Sequence, residues 1–318
     1  MVKILLKTRV AKYLEWKCVD ATYVYQVQKG GFFSKGGATI QKVPGNDKEA
    51  LKSDLMGLME KRRCKKFFTF IQKFDVKDPK TYDGFDVNKG SFGELIKNFS
   101  LEDNTIDFIG HALALYTTDT FLSNPAIETI EKIQLYMDSI GRYGESPFIY
   151  PIYGLGGIPE GFSRMCAINQ GTFMLNTDVE KILYDEEGKV SGIKTKDGEA
   201  KCNMLICDPS YVLNDGKNEK VKEIGQVIRC ICILKEPIPA TKNASSVQII
   251  IPQRQVGRKN DIYVMLVSNV HQVCKKNFYV AIISTNVETK NPEQELIPAF
   301  ELLGDTIVDK FVTVKLQF

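Results

Sequence analysis

The chain has 318 residues and carries 42 Lys and Arg against 39 Asp and Glu, for a formal net charge of +3, with two His and eight Cys. That length buries a substantial core as one large domain or two smaller ones. The near-balanced charge, with no zinc finger or aromatic RNA-binding motif, excludes nucleic acid as an expected partner.

From Val2 to Leu14, apolar residues at 2, 5, 6, 10, 13 and 14 fit a helix. MVKILLKTRV has no long apolar core and no small-residue cleavage site, so secretion is not expected. Between Ala21 and Val43 the period shortens to that of strands. Tyr23, Tyr25 and Val27 alternate there, and Lys29-Gly30-Gly31 and Lys35-Gly36-Gly37 supply turns.

Residues 44–150 read as helical. Pro44-Gly45-Asn46 precedes a helical run to Phe74, with a break expected near Ser53. Asn104 is placed to cap TIDFIGHALALY, and Asn124-Pro125 to start AIETIEKIQLYMDSI. In that last helix Ile127, Ile130, Ile133, Met137 and Ile140 share one face, and Gly141 and Gly144 are stop signals. The basic run Glu60 to Lys66 reads as a solvated helix face, with lipid or acidic-partner contact as the alternative.

Residues 151–318 read mostly as strands. VEKILYDEEGKVSGIKTKDGEAKCNMLICD alternates apolar and polar residues around turns at Glu187-Gly188 and Asp197-Gly198. VIRCICIL, VQIIIP, IYVMLVS and FYVAIIS are further strands, and Pro292 to Phe311 returns to helical spacing. No apolar run approaches the ~18 residues of a membrane helix.

The stretch YGLGGIPEGFSRMCAINQGTFMLN, residues 153–176, lacks both G-x-G-x-x-G and the P-loop Lys-Ser/Thr. A glycine turn entering a helix, followed by a strand-like tail, fits better than a phosphate cradle. His111 lies in an apolar helical run and reads as a core histidine, while His271 sits near a strand end. Cys230 and Cys232 share one strand face as core residues, and the eight cysteines form no C-x-x-C pair. Free thiols and no metal site are expected. No acid–base set converges, so no catalytic residue is assigned.

Seven segments carry a resemblance that periodicity does not. DLMGLMEKRR (54–63), DFIGHALALY (107–116), SPFIYPIYGLGGIPEGFSRM (146–165), LICDPSYV (205–212), VIRCICIL (227–234), IIIPQRQVGRKNDIYV (249–264) and STNVETKNPEQE (284–295) resemble, in order, segments of Rab GDP dissociation inhibitors. The resemblance runs from about Val2 to about Val312. It implies an α/β, flavoprotein-like fold. Residues 1–43 and 151–318 would form a mixed-sheet Rab-binding domain, and 44–150 a helical prenyl-binding domain.

By the same resemblance Arg164, Thr172, Met174 and Gly157 fall on a Rab-binding platform, with Gly157 standing where the family commonly has Glu. Arg142 and Tyr143 fall in a mobile effector loop. The residues that could line a geranylgeranyl cleft are Leu58, Phe70, Ile71, Ile109, Leu113, Ile130, Ile133 and Met137, with simple core packing as the alternative for each. Expected partners are prenylated Rab GTPases in the GDP form, the geranylgeranyl lipid and, transiently, the membrane surface. The setting would be cytoplasmic, and no cofactor is expected. The family's strand–G-x-G-x-x-G–helix unit, a further platform Tyr and its final segment find no counterpart here. Two other readings stay open: a Rab escort protein, and a flavin-dependent amine-oxidase-like oxidoreductase.

Overall fold

A computed structural model describes residues 1–28, 37–44, 56–140, 142, 144, 146–213 and 221–318. The expected turns at Gly30-Gly31 and Gly36, the sites Gly45, Asn46 and Ser53, the stop at Gly141, and Tyr143 lie outside these. The chain divides into two compact units. One comprises Met1–Leu14, Ile158–Gly225 and Leu316–Phe318, the other Glu15–Gly157 and Gln226–Lys315.

The larger unit is built on a seven-stranded sheet. Its strands are β2 (Ala21–Gln28), β3 (Gly37–Lys42), β8 (Gly225–Leu234), β9 (Val247–Ile251), β10 (Ile262–Ser268), β11 (Tyr279–Asn286) and β12 (Ile307–Gln317), in the order β12-β8-β11-β10-β9-β2-β3. β8, β11, β10 and β9 pair antiparallel in succession, as do β2 and β3, while β2 joins β9 in parallel, Ala21 opposite Val247. Asp20 secures that junction: its carboxylate accepts the N–H groups of Ser245 and Ser246 at 2.8 and 3.1 Å. β1 (Trp16–Cys18) and β4 (Ile149–Pro151) form a separate antiparallel pair.

The two-residue strand period sends alternate side chains into different cores. Val24, Ile250 and Tyr263 pack with the helical segment. Tyr23, Tyr25, Ile249 and Ile251 pack on the opposite face with Leu296, Ala299 and Leu303. Cys230 and Cys232 belong to this second core, as expected of a shared strand face.

The helical layer contains α2 (Leu58–Lys73), α3 (Phe92–Lys97), α4 (Asp103–Asp107), which runs on into a π-helical turn at Phe108–Leu113, and α5 (Ala126–Ser139). α3 starts with a capping box. The Ser91 hydroxyl accepts the Glu94 N–H at 3.2 Å, and Glu94 accepts the Ser91 N–H at 2.8 Å. Phe67 meets Phe92 and Phe99 edge-on, at centroid distances of 6.3 and 5.3 Å.

The smaller unit holds α1 (Val2–Lys7), a 3-10 turn (Val10–Tyr13), nearly all of α6 (Gly157–Ile168), and an antiparallel sheet of β5 (Val179–Tyr184), β6 (Val190–Thr195) and β7 (Gly198–Lys201).

Several expected boundaries shift. The helix expected over Val2–Leu14 breaks at Arg9, whose φ of 63° is left-handed. α4 is capped at Glu102 rather than Asn104. α5 begins at Ala126 with Pro125 as its cap, because the Asn124 carbonyl is taken by the Phe92 N–H at 3.0 Å. Helical spacing after Pro292 yields only a 3-10 turn and α7 (Ile297–Leu303). Gly304, at φ 69°, ends it, and the β-branched run from Ile307 extends as β12. Glu60 is not on a solvated face. It is buried and accepts the Glu102 N–H at 2.8 Å and Arg63 at 3.2 Å.

Candidate functional site

α6 is entered through a glycine turn. Tyr153 and Gly154 have φ of 71° and 97°, and the Gly157 N–H reaches the Gly154 carbonyl at 3.2 Å. Gly161 allows α6 to approach the N-terminal segment closely, since a β-carbon there would lie 3.0 Å from Val10 Cγ1. One turn further, the exposed Arg164 guanidinium lies 4.7 Å from the ring centroid of Tyr13. The guanidinium is thereby held over the ring while the side chain as a whole stays exposed.

The helix then stops sharply. The Gly171 N–H bonds to the Cys166 carbonyl at 2.9 Å and the Gln170 N–H to Ala167 at 3.0 Å, with Gln170 left-handed at φ 69°. This is a Schellman closure. Gly171 follows because a β-carbon there would strike Cys166 Sγ at 2.2 Å. The chain emerges with Thr172, Phe173, Met174 and Leu175 all exposed, Met174 at 65% and Leu175 at 85%. No strand forms over 169–178, contrary to the strand-like tail expected there. A strand would have turned alternate residues inward, so the sequence reading passed over Phe173 and Leu175. Exposed apolar residues on the segment that follows a helix bearing an exposed arginine have the composition of an interaction surface.

Arg164, Thr172 and Met174 thus lie on α6 and the segment after it, in the smaller unit. Gly157 is the first residue of α6 and is half-buried, while Arg142 is exposed in the larger unit. Of the candidate lipid residues, Phe70, Ile71, Ile109, Leu113, Ile130 and Ile133 are buried in one core, with Met137 packed at its edge. Leu58 stands apart, 73% exposed at the start of α2.

His111 is buried, as its apolar run implies, but the polar centre built around it has no local signal in the sequence. Its Nδ1 lies 2.7 Å from Asp261 Oδ2 and 2.9 Å from the Tyr116 carbonyl, and its Nε2 is 3.1 Å from Asp119 Oδ1. Arg254 closes the group, reaching Asp107 at 3.3 Å and Asp119 at 2.9 Å. Asp107, His111 and Asp119 have donor atoms within 4.8 Å of one another. Arg254 already supplies a positive charge to both acids, so a metal ion would have to displace a guanidinium.

Burial opposes charge on His111, but the Asp261 carboxylate, the Tyr116 carbonyl and Asp119 outweigh it and carry its pKa up to about 9. A raised histidine pKa stabilises the fold fully below its ordinary value near 6.5, and that contribution is lost as pH rises through about 9. Melting temperatures measured across this window should therefore fall, by the equivalent of roughly 3 kcal/mol in unfolding free energy. His111→Gln should flatten the decline. His271 behaves oppositely: burial and the nearby Lys17 lower its pKa, favouring the neutral ring.

The GDP dissociation inhibitor family profile matches residues 1–318. Rab GDP dissociation inhibitor beta of Canis lupus familiaris is 50% identical over 314 residues, 99% of this chain and 67% of that protein. A guanosine nucleotide diphosphate dissociation inhibitor from Arabidopsis thaliana is 48% identical over 307 residues, 96% of this chain and 66% of that protein. The crystal structure of a Rab GDI from Plasmodium falciparum is 54% identical, with a TM-score of 0.91, over 99% of this chain and 70% of that one. The chain spans about two thirds of the length of these relatives.

Proposed function

Since the chain belongs to the GDP dissociation inhibitor family, we propose that it regulates Rab GTPases by binding rather than by catalysis. It holds the GDP-bound, prenylated form, slows GDP release and keeps the lipidated GTPase in solution between membranes. The observation carrying this reading is the family match over residues 1–318. The solvent-facing Arg164 and the exposed run from Thr172 to Leu175 support a docking platform on the smaller unit. Arg142 and Tyr143 belong to the effector loop in this reading.

The helical segment 44–150 receives the lipid. Each CH₂ of a geranylgeranyl chain gains ~0.8 kcal/mol on leaving water, which favours an apolar host. Phe70, Ile71, Ile109, Leu113, Ile130 and Ile133 are closed into a core, so admitting the chain requires α2 or α5 to move. No helix among the described residues is long and apolar enough to cross a membrane.

A pull-down with prenylated and unprenylated Rab, each loaded with GDP or GTP, tests the proposal. Preference for the prenylated GDP form supports it, and equal capture of all four forms rejects it. Within that assay Arg164→Ala should cost roughly 1–3 kcal/mol of affinity, the usual loss for a charged interface anchor. Its melting curve should stay unchanged, because Arg164 is exposed. Unaltered affinity removes Arg164 from the platform.

A further inference from the structure

α2 has a sharply divided surface. Glu60, Cys64, Phe67, Phe70 and Ile71 are buried, while Arg62, Lys65, Lys66 and Lys73 are exposed on the other side. The helix carries six basic residues against one acid, Glu60, and that acid is turned inward to Arg63 and the Glu102 N–H. At 100° per residue Leu58 falls in line with Arg62, Lys65 and Thr69. Leu58 is 73% exposed and its neighbour Met59 61%. The solvent face of α2 is thus cationic along its length and apolar where it begins.

We propose that this face of α2 is a docking surface for an anionic lipid bilayer: Arg62, Lys65, Lys66 and Lys73 lie over acidic headgroups while Leu58 and Met59 enter the interface. Helices that lie in a membrane interface combine these two features, a Lys/Arg-rich side and apolar residues that reach the acyl boundary. Lys is depleted in protein–protein interfaces, which disfavours an acidic protein as the occupant. Each Lys or Arg near an anionic membrane surface strengthens attraction to it, and salt screens that attraction. The surface extends the membrane contact of the proposed function but needs no Rab, so the two stand or fall separately.

The test is partitioning of the full chain onto Rab-free vesicles of phosphatidylcholine, or of equimolar phosphatidylcholine and phosphatidylserine. The protein should partition onto the phosphatidylserine vesicles, and added salt should release it. Arg62→Gln/Lys65→Gln/Lys66→Gln should weaken partitioning ~100-fold. Leu58→Ala/Met59→Ala should weaken it several-fold. These positions are exposed, so melting curves should match the parent chain. Lys235→Gln/Lys242→Gln/Lys275→Gln, which removes equal charge at exposed positions outside α2, should leave partitioning intact.

Four results overturn the proposal: equal partitioning on both vesicles, none on either, an α2 triple variant that binds like the parent, or a control triple variant that loses as much. Binding that Leu58→Ala/Met59→Ala leaves unchanged also counts against it, because the apolar residues then do not enter the bilayer.

Discussion

Ile133→Asp should lower the unfolding free energy by more than about 4 kcal/mol and leave the helical layer unfolded at ordinary temperatures. Ile133 lies mid-way along α5 with no exposed surface, in the same core as Phe67, Ile71, Phe92 and Ile109. A carboxylate there has neither water nor a cation to receive it. Ile133→Ala sets the scale for packing alone, and a buried truncation of this kind costs roughly 2–5 kcal/mol. The excess loss in the Asp variant measures the buried charge. Thermal melts and urea titrations of both variants check the expectation. A lipid-lining role predicts a different pattern: a near-native melting curve with loss of prenylated Rab extraction from membranes. That outcome would show a face that opens readily, whereas unfolding shows that Ile133 is packed in the core as long as no lipid is bound.

Arg258→Met should cost about 3–5 kcal/mol, the usual loss when one partner of a buried ion pair is removed. Arg258 Nη1 lies 2.8 Å from Glu295 Oε2 and Nη2 lies 3.3 Å from Glu288 Oε1. Nη2 also donates to the Asn286 carbonyl at 2.9 Å. Glu295 is itself buried and accepts the Glu288 and Thr289 N–H groups. Burial acts to raise both carboxyl pKa values, but Asn260 beside Glu288, Thr289 beside Glu295, and Arg258 at each lower them overall.

Depressed carboxylate pKa values stabilise the fold above the ordinary carboxylate range, and that stability disappears as pH falls through the folded values. The deficit of Arg258→Met should accordingly be largest near neutrality and shrink in acid, as Glu288 and Glu295 become protonated. Urea midpoints at neutral and acid pH check this. Adding Glu295→Gln to Arg258→Met should recover part of the loss at neutrality, because it removes one of the uncompensated charges.

What could be read from the sequence followed from local period. β2, β8, β9, β10 and β11 announce themselves by alternation and β-branched residues, and Cys230 and Cys232 fall on one buried face as that period requires. The glycine turn into α6 was legible because few residues other than Gly tolerate the conformation of position 154. His111 was legible as a core histidine, but its partner was not. Asp261 immediately precedes β10, about 150 positions away in the chain, and no local pattern joins them. The Arg258–Glu288–Glu295 group was hidden for the same reason. Helical spacing misled where a left-handed Arg9 or Gly304 ends a helix that periodicity alone would continue. The exposed Phe173 and Leu175 were missed because apolar residues without a period resemble a buried strand. The family resemblance, rather than any local pattern, drew attention to Arg164, Thr172 and Met174.

The parallel seam between β2 and β9 also imposes an order in time. Ala21 and Val247 are partners although 226 positions separate them, as 247 − 21. A ribosome adding ~5–20 residues each second needs roughly 10–45 s to make the second strand after the first. Until the helical layer of residues 56–140 follows, Tyr23, Val24 and Tyr25 belong to a nascent hairpin with neither covering core, and until Val247 emerges its hydrogen-bonding edge and the face bearing Tyr23 and Tyr25 stay bare. The seven-stranded sheet cannot close from its amino-terminal side during synthesis. The early strands must wait for a partner made more than two hundred residues after them.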